Sequence, residues 1–288
     1  MLQFDFLKNK YGKELLIDLG RIESLYGYIL EDDLHIITFY EVLVITKGAG
    51  TYSLDGTPKQ LKRGTVVVTL PNQVRQWKTE GEVEGFSFFF EGEFLNTHFK
   101  DELFLNRFAI FDYDRPKIGF DLKEENLEKL LWTFDEVEQE FKELEGDSSH
   151  IFRSLLYFVL SQIDRYYRKN VGQEKEEAPM EVYRFKKLLD RNIHRWQTVQ
   201  DYVKAMDIGK DHLNKLAQRY FKQTPLQLIH HRMEIIAKRE LRYSTKTISE
   251  IAHELNFSDV SNFNRFFKKR TGESPKSYKV KMTDLKSN

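Results

Sequence analysis

Two stretches near the C-terminus carry one pattern twice: Thr198–Leu228, TVQDYVKAMDIGKDHLNKLAQRYFKQTPLQL, and Thr247–Tyr278, TISEIAHELNFSDVSNFNRFFKKRTGESPKSY. With one residue inserted in the second copy, they agree at Thr198/Thr247 and at an acid three positions on, Asp201/Glu250. They agree again at the apolar pairs Val199/Ile248, Tyr202/Ile251, Met206/Leu255, Leu213/Phe263 and Leu216/Phe266, and at the closing Pro225/Pro275. A Thr followed three residues later by an acid predicts a capping box, in which the two side chains satisfy orphan amides of a first helical turn. The polar breaks Asp207–Asp211 and Asn256–Asp259 are too short for anything but a sharp angle between two packed helices. Beyond each break apolar residues recur at intervals of three and four. Asn214, Lys215, Gln218 and Arg219 lie on the opposite face of one copy, and Asn264, Arg265, Lys268 and Lys269 on that of the other. Each copy therefore predicts a helix-turn-helix.

The segment between the copies strengthens a nucleic-acid reading. Pro225 suits the first turn of a helix, and Leu226–Ser244 contains neither Gly nor Pro. A helix of that length spans about 30 Å, close to the ~34 Å of one duplex turn, so two recognition helices on one rigid unit can enter successive major grooves. The net charge of zero conceals an opposed pair: residues 179–288 hold 23 Lys and Arg against 12 Asp and Glu, and residues 1–178 hold 22 against 33. Basic charge confined to the half with the tandem motif is the footprint of phosphate contact, although a solvated helical face alone can also be basic.

At 288 residues the chain is long enough for two cores. It has no Cys, which excludes disulfides and thiol catalysis and suits a reducing cytoplasm. No long apolar run or charged-then-apolar leader predicts a membrane span or secretory signal, so the expectation is a cytoplasmic protein without membrane partners. Leu34–Thr46, Gly50–Leu54, Thr65–Leu70 and Val83–Phe90 are rich in β-branched and aromatic residues and are separated by turns such as Leu54-Asp55-Gly56. They read as short strands of an antiparallel sandwich or barrel. Two helices follow, with apolar stripes at Leu127, Leu130, Leu131, Phe134, Val137, Phe141 and Leu144, and at Leu155, Leu156, Val159, Leu160, Ile163 and Tyr167, joined at Gly146-Asp147. The heptad-like first stripe suits either packing within the chain or a homodimer through Leu130, Phe134, Val137 and Phe141. Asn170–Pro179, NVGQEKEEAP, reads as a tether.

With these motifs in place, residues 180–280 resemble the DNA-binding domain of the AraC/XylS family of bacterial transcription regulators, most closely in IAHELNFSDVSNFNRFFKKRTGESP and the linker-like HHRMEIIAKRELRYS at His230–Ser244. The family usually has Gly after its first recognition helix; here that position is Lys222, whereas Gly272 keeps it in the second copy. FYEVLVITKGAGTYSLDG and LKRGTVVVTLPNQVRQW resemble the cupin sensor domain that precedes the helix-turn-helix domain in this family. The resemblance implies an α+β chain of two domains. Residues 1–122 form a cupin-like antiparallel β-barrel, 123–169 a helical hairpin, 170–179 a linker, and 180–288 an all-α tandem helix-turn-helix domain. It further implies a regulator of transcription, here expected to be an activator, that binds double-stranded DNA, engages RNA polymerase, and responds to a small effector in the barrel. A regulator controlled by a protein partner or by its own abundance is the alternative. By the same resemblance the base-reading positions are Asp211, Asn214 and Lys215 in the first recognition helix and Val260, Ser261, Asn262 and Arg265 in the second, with Lys268 and Lys269 beyond them.

A cupin can also be a metalloenzyme. The family's metal set, two His one residue apart, a Glu shortly after and a later His, falls here on His35, Ile37, Glu41 and Arg75. Two possible ligands beside a guanidinium cannot hold a catalytic metal, so neither cofactor nor enzymatic activity is expected. Glu41 and Arg75 instead suit a planar ion pair inside the barrel. That pair is either a structural substitute for the metal, with His35 a hydrogen-bonded barrel residue, or part of an effector site in which Arg75 and Trp77 grip an anionic or polar ligand.

Overall fold

The computed structural model describes residues 2–25, 34–112, 115, 117–172 and 178–284, with side chains through Lys281. The chain divides into two compact units, Met1–Glu176 and Glu177–Asn288. Residues 173–177 of the expected tether lie outside the described residues.

The first unit is organised by a strand that is buried on both faces. In β4 (Tyr40–Lys47), Glu41 to Ile45 are all buried, and successive side chains of a strand leave on opposite sides. Val42 and Val44 join one core with the helices, whereas Leu43 and Ile45 join a second core inside a β-sandwich. β4 lies at the centre of a sheet ordered β10-β7-β4-β9-β2, made with β2 (Ile17–Arg21), β7 (Thr65–Thr69), β9 (Glu84–Phe90) and β10 (Gly119–Asp121). The facing sheet runs β1-β3-β8-β5-β6, from β1 (Leu2–Phe4), β3 (Leu34–Ile37), β5 (Gly50–Leu54), β6 (Thr57–Leu61) and β8 (Val74–Thr79). Both sheets are open, so the barrel is a barrel-like sandwich. The expectation of purely antiparallel pairing needs one correction, because β1 pairs with β3 in parallel.

Two further differences from the sequence reading have local causes. Leu34–Thr46 is two strands in different sheets, broken at Thr38-Phe39 without a Gly or Pro to mark it. Thr57–Leu61, which the pattern did not reveal, is an edge strand, the position where Pro58 costs no ladder bond. Its hairpin with β5 turns through Asp55 and Gly56, both with positive φ, as a two-residue primed turn requires.

After the short α1 (Glu93–Asn96), the helical hairpin, α2 (Glu124–Lys142) and α3 (Ser148–Val171), covers the outer face of the β4 sheet. Phe134 stacks on Phe86 at 5.0 Å between ring centres and lies 5.3 Å from Phe88. Leu130, Phe134 and Val137 are fully buried within the chain, and Phe141 sits between Tyr11 and Phe152. The expected dimer face on these four side chains is therefore corrected: they belong to the unit's own core. Heptad-like spacing reports an apolar stripe without saying what covers it, and here the cover is the second apolar face of the β4 sheet.

The second unit is all helix. Its two helix-turn-helix copies are α5 (Val199–Met206) with α6 (Lys210–Phe221), and α8 (Ile248–Glu254) with α9 (Val260–Thr271). α7 (Pro225–Tyr243) joins them, while α4 (Met180–Asn192) and α10 (Pro275–Asp284) flank them. The predicted capping boxes form: Asp201 accepts from the Thr198 amide at 3.1 Å, and Glu250 from the Thr247 amide at 2.6 Å. A third, Thr224 with Gln227, opens α7 immediately before Pro225. The repeat extends to the backbone, since Asp207 and Asn256, equivalent in the two turns, both have left-handed φ, 55° and 58°. A single core gathers Phe185 and Leu189 of α4, Tyr202, Met206, Leu213, Ile229, Met233, Ile236, Ile251, Phe263 and Phe267. α4 escaped the sequence reading, although Val182, Phe185 and Leu189 carry its period.

Lys222 takes the left-handed conformation (φ 56°) that Gly272 (φ 85°) takes in the second copy. An L-residue is strained there, so Lys222→Gly is expected to raise stability by about 0.5–1 kcal/mol after allowing for glycine's extra unfolded-state entropy. A lower melting temperature than wild type would contradict this. In the first unit, Phe134→Ala should cost about 3–5 kcal/mol in a urea titration, and Phe134→Glu should prevent that unit from folding rather than yield a folded monomer.

Candidate nucleic-acid interface

The chemistry of the second unit is concentrated on the outer faces of α6 and α9. α6 buries Leu213, Leu216 and Ala217 and leaves Lys210, Asp211, Lys215, Gln218, Arg219 and Lys222 exposed, with Asn214 half-buried. Asp211, Asn214, Lys215 and Gln218 follow one helical face, so the three sequence-predicted positions come together. Asp211 lies in the first turn, where a carboxylate complements the positive end of the helix dipole. That position gives it a structural use independent of DNA.

α9 buries Phe263 and Phe267 and exposes Ser261, Asn264, Arg265, Lys268 and Lys269. Ser261, Arg265, Lys268 and Lys269 share its outer side, and Asn264 adds a polar group there. Val260 is half-buried and packs against the core, so it does not join that face. Asn262 is committed locally: its amide N–H donates to the Asp259 cap at 2.7 Å, and its side-chain Nδ2 donates to Ser258 Oγ at 2.6 Å and to Asp259 Oδ2 at 2.7 Å. Its Oδ1 accepts from Arg265. Asn262 thus holds the Arg265 guanidinium beside the N-terminal end of the helix.

The first unit holds a separate polar cluster between its sheets. Glu41 of β4 and Arg75 of β8 meet across the sandwich, Nη1 to Oε1 at 2.7 Å, and both are buried. Ser87 Oγ donates to Oε1 at 2.8 Å and Tyr52 OH to Oε2 at 3.1 Å, while Tyr52 OH and Thr69 Oγ1 lie 2.8 Å apart. Trp77 packs edge-on against Tyr52 at 4.7 Å, and its Nε1, like Arg75 Nε, has no hydrogen-bond partner among the described residues. His35 is buried opposite Arg75 in the ladder, 5.4 Å from the Phe4 ring. Burial alone would raise the Glu41 carboxyl, but the Arg75 charge and the hydrogen bonds outweigh it and hold it below the usual carboxylate range. Burial, with Glu41 beside it, pushes the Tyr52 phenol up. Tyr52, Thr69 and Ser87 escaped the sequence reading because only the register aligns them: Glu41 pairs with Thr69 on one side, and Tyr52 with Trp77 in the other sheet. Among the described residues, no group of three or more His, Asp or Glu is placed to hold a metal ion, and no helix is long and apolar enough to cross a membrane.

A sandwich with a helical hairpin, followed by tandem helix-turn-helix units with exposed polar recognition helices, is the layout of a DNA-binding regulator with a separate N-terminal domain. A family model described as the AraC-like ligand binding domain matches residues 31–164, and one described as a helix-turn-helix domain matches residues 202–281. The chain belongs to the AraC family of DNA-binding transcription regulators that carry a ligand-binding domain. Similar solved structures include ToxT from Vibrio cholerae, 13% identical, covering 92% of this chain and 97% of that one with a TM-score of 0.40. ToxT from Vibrio cholerae O395 bound to (E)-4-(8-methylnaphthalen-1-yl)but-3-enoic acid is 14% identical, over 92% and 98% of the two chains, with a TM-score of 0.41. An AraC-type regulator from Chromobacterium violaceum is 17% identical over 35% of this chain and 91% of that one, with a TM-score of 0.33.

The Glu41–Arg75 pair is open to a direct test. Glu41→Gln or Arg75→Leu should each cost about 3–5 kcal/mol by leaving a buried charge unpaired, with an apolar double replacement partly rescued. Because the folded Glu41 lies below its unfolded value, its contribution is present above the ordinary Glu range and lost as pH falls through the depressed folded value. A stable Arg75→Leu that has lost a ligand-dependent change in melting temperature would favour the effector reading instead.

Proposed function

We propose that this protein is a transcription activator that reads two successive major grooves of a duplex, inserting α6 into one and α9 into the next. The observation that supports the reading is the pair of equivalent recognition helices, each with an exposed polar face, attached to one helix of 19 residues, α7. At about 1.5 Å per residue that helix is nearly 30 Å long, against ~34 Å for a helical turn of DNA. Asp211, Asn214 and Lys215 from α6, and Ser261 and Arg265 from α9, are the proposed base-reading set, which Val260 leaves because it packs on the core. Lys and Arg suit guanine edges, and Asn suits adenine. Lys268 and Lys269, one to two turns further along α9, are assigned to phosphate. Asn262 acts chiefly by aiming Arg265.

The same reading assigns the first unit to sensing and assembly in a bacterial cytoplasm, with RNA polymerase as the downstream partner. In this reading the Glu41–Arg75 pair is structural, since Arg75, Ser87 and Tyr52 all donate to the buried carboxylate. A small polar effector remains the alternative use of Arg75, Trp77 and His35. The homodimer is reassigned to the outer face of α3, where Ile151 and Phe158 are exposed with Leu155 half-buried between them, at spacings of four and three that suit a second copy of the same helix. Sedimentation of the wild-type chain as a monomer at micromolar concentration would remove the dimer.

Two alanine variants separate base reading from phosphate contact. Arg265→Ala should cost about 1–3 kcal/mol on a selected site and little on random DNA, whereas Lys268→Ala should weaken both alike and reduce the salt slope by about one. Equal losses on both DNAs for Arg265→Ala would make it a phosphate contact.

A further inference from the structure

α7 is apolar along most of the surface it presents to the two helix-turn-helix copies, with two buried exceptions, Arg232 and Glu234. Two residues apart on a helix, they point about 200° away from one another, so each addresses a different side. Arg232 Nε lies 3.0 Å from Asp190 Oδ1 of α4, on the side of the first copy. Glu234 Oε2 lies 2.9 Å from Arg270 Nε and 2.8 Å from Arg270 Nη2, on the last turn of α9. Its other oxygen accepts from Lys238 at 2.7 Å.

Arg270 closes the basic run Lys268-Lys269-Arg270 and is exposed like its neighbours, yet its guanidinium is held by Glu234 of α7. It is two positions beyond Lys268, again about 200° around the helix, which turns it back toward α7. Burial would raise the Glu234 carboxyl, but Lys238 and Arg270 more than offset it and keep it below the usual range, so the partner of Arg270 is a carboxylate. The Arg270 Nε–H donates to Glu234 Oε2, with Nη2 of the same planar guanidinium beside that oxygen, and a hydrogen bond made by a rigid guanidinium fixes direction as well as distance. An apolar helix contact constrains direction less, because it is not directional.

We propose that Glu234 is a positioning residue for DNA recognition: through Arg270 it sets the second recognition helix against the linker helix, while Arg232 with Asp190 ties α7 to α4, the helix that packs on α5 and α6 of the first copy. The spacing at which α6 and α9 meet two grooves is then fixed by two ion pairs on one helix. The inference rests on the two-groove reading above, and its test keeps the two apart.

Duplexes are first selected from a random library with the full-length wild-type chain, and then lengthened between the half-sites by one base pair or by half a turn, about five base pairs. The wild type should lose affinity on insertion. Glu234→Gln should bind random DNA at least as tightly as the wild type, because it removes a negative charge, yet bind the intact site about tenfold more weakly and pay a smaller insertion penalty. Arg270→Met should lose as much on the intact site, and combining the two should add nothing. Arg270→Lys keeps the charge without the fork; it should fall between Arg270→Met and the wild type, and it serves if Glu234→Gln does not fold. A folded Glu234→Gln with wild-type affinity and an unchanged insertion penalty overturns the inference while leaving two-groove reading intact. So does an equal loss on random DNA for Arg270→Met, which would make Arg270 a phosphate contact. A wild type insensitive to insertion overturns the two-groove reading and, with it, this role for Glu234.

Discussion

The first unit depends on one constraint: β4 is apolar on both sides and must be covered twice. A strand in a two-layer sandwich needs only one apolar face. Here Leu43 and Ile45 are buried against the second sheet, whereas Val42 and Val44, with Phe86 and Phe88 of β9, require a further layer. α2 and α3 supply it, and their apolar stripes are used up in doing so. At about 25 cal/mol per Å² of apolar surface, the rings of Phe86, Phe88 and Phe134 bury too much area for the hairpin to be an appendage. What the hairpin offers a partner is therefore its outer side, not the stripe that its spacing advertises.

The second unit meets a similar demand differently. A single helix-turn-helix has too little interior to stand alone, and two copies share α7, which contributes Leu228, Ile229, Met233, Ile236, Ala237 and Leu241 to one continuous core. Sharing a helix also fixes geometry. Capping at Thr224, Thr198 and Thr247 sets where each helix begins, and the left-handed residues Asp207 and Asn256 set each turn. Only the strained Lys222 departs from this economy, and its ammonium recovers part of the cost by donating to the Arg219 carbonyl at 2.9 Å.

Buried charge serves different ends in the two units. Glu41 is enclosed by three side-chain donors in the sandwich interior, where an unpaired carboxylate would be costly. Its pair joins the two sheets at one point and leaves Trp77 Nε1 without a partner among the described residues. Glu234 lies nearer the surface and connects elements that already pack through apolar contacts. Removing an apolar residue there would loosen the core, whereas removing the charge changes chiefly an angle.

The sequence by itself determined the tandem repeat, its capping boxes and its exposed polar faces, because each is a local pattern: a cap spans three residues, and a helical face repeats within four. Through its resemblance to the cupin sensor domain, whose metal-ligand positions fall on His35, Ile37, Glu41 and Arg75, it also implied that Glu41 and Arg75 are neighbours. Tertiary structure decided the rest. Thr69, Ser87 and Tyr52 surround Glu41 only once strand register is set, and register depends on the partner strands and turns as well as on the strand's own apolar pattern. Leu34–Thr46 changes sheets at Thr38-Phe39, where the chain bends because the two halves find different partners. Leu130, Phe134 and Val137 had the spacing of a dimer seam, and only the second apolar face of the β4 sheet made them core. Arg270 reads as one more cation in a basic run until α9 is docked on α7 and Glu234 claims it. Local chemistry fixes which face a residue occupies, while contacts distant in sequence decide what that face meets.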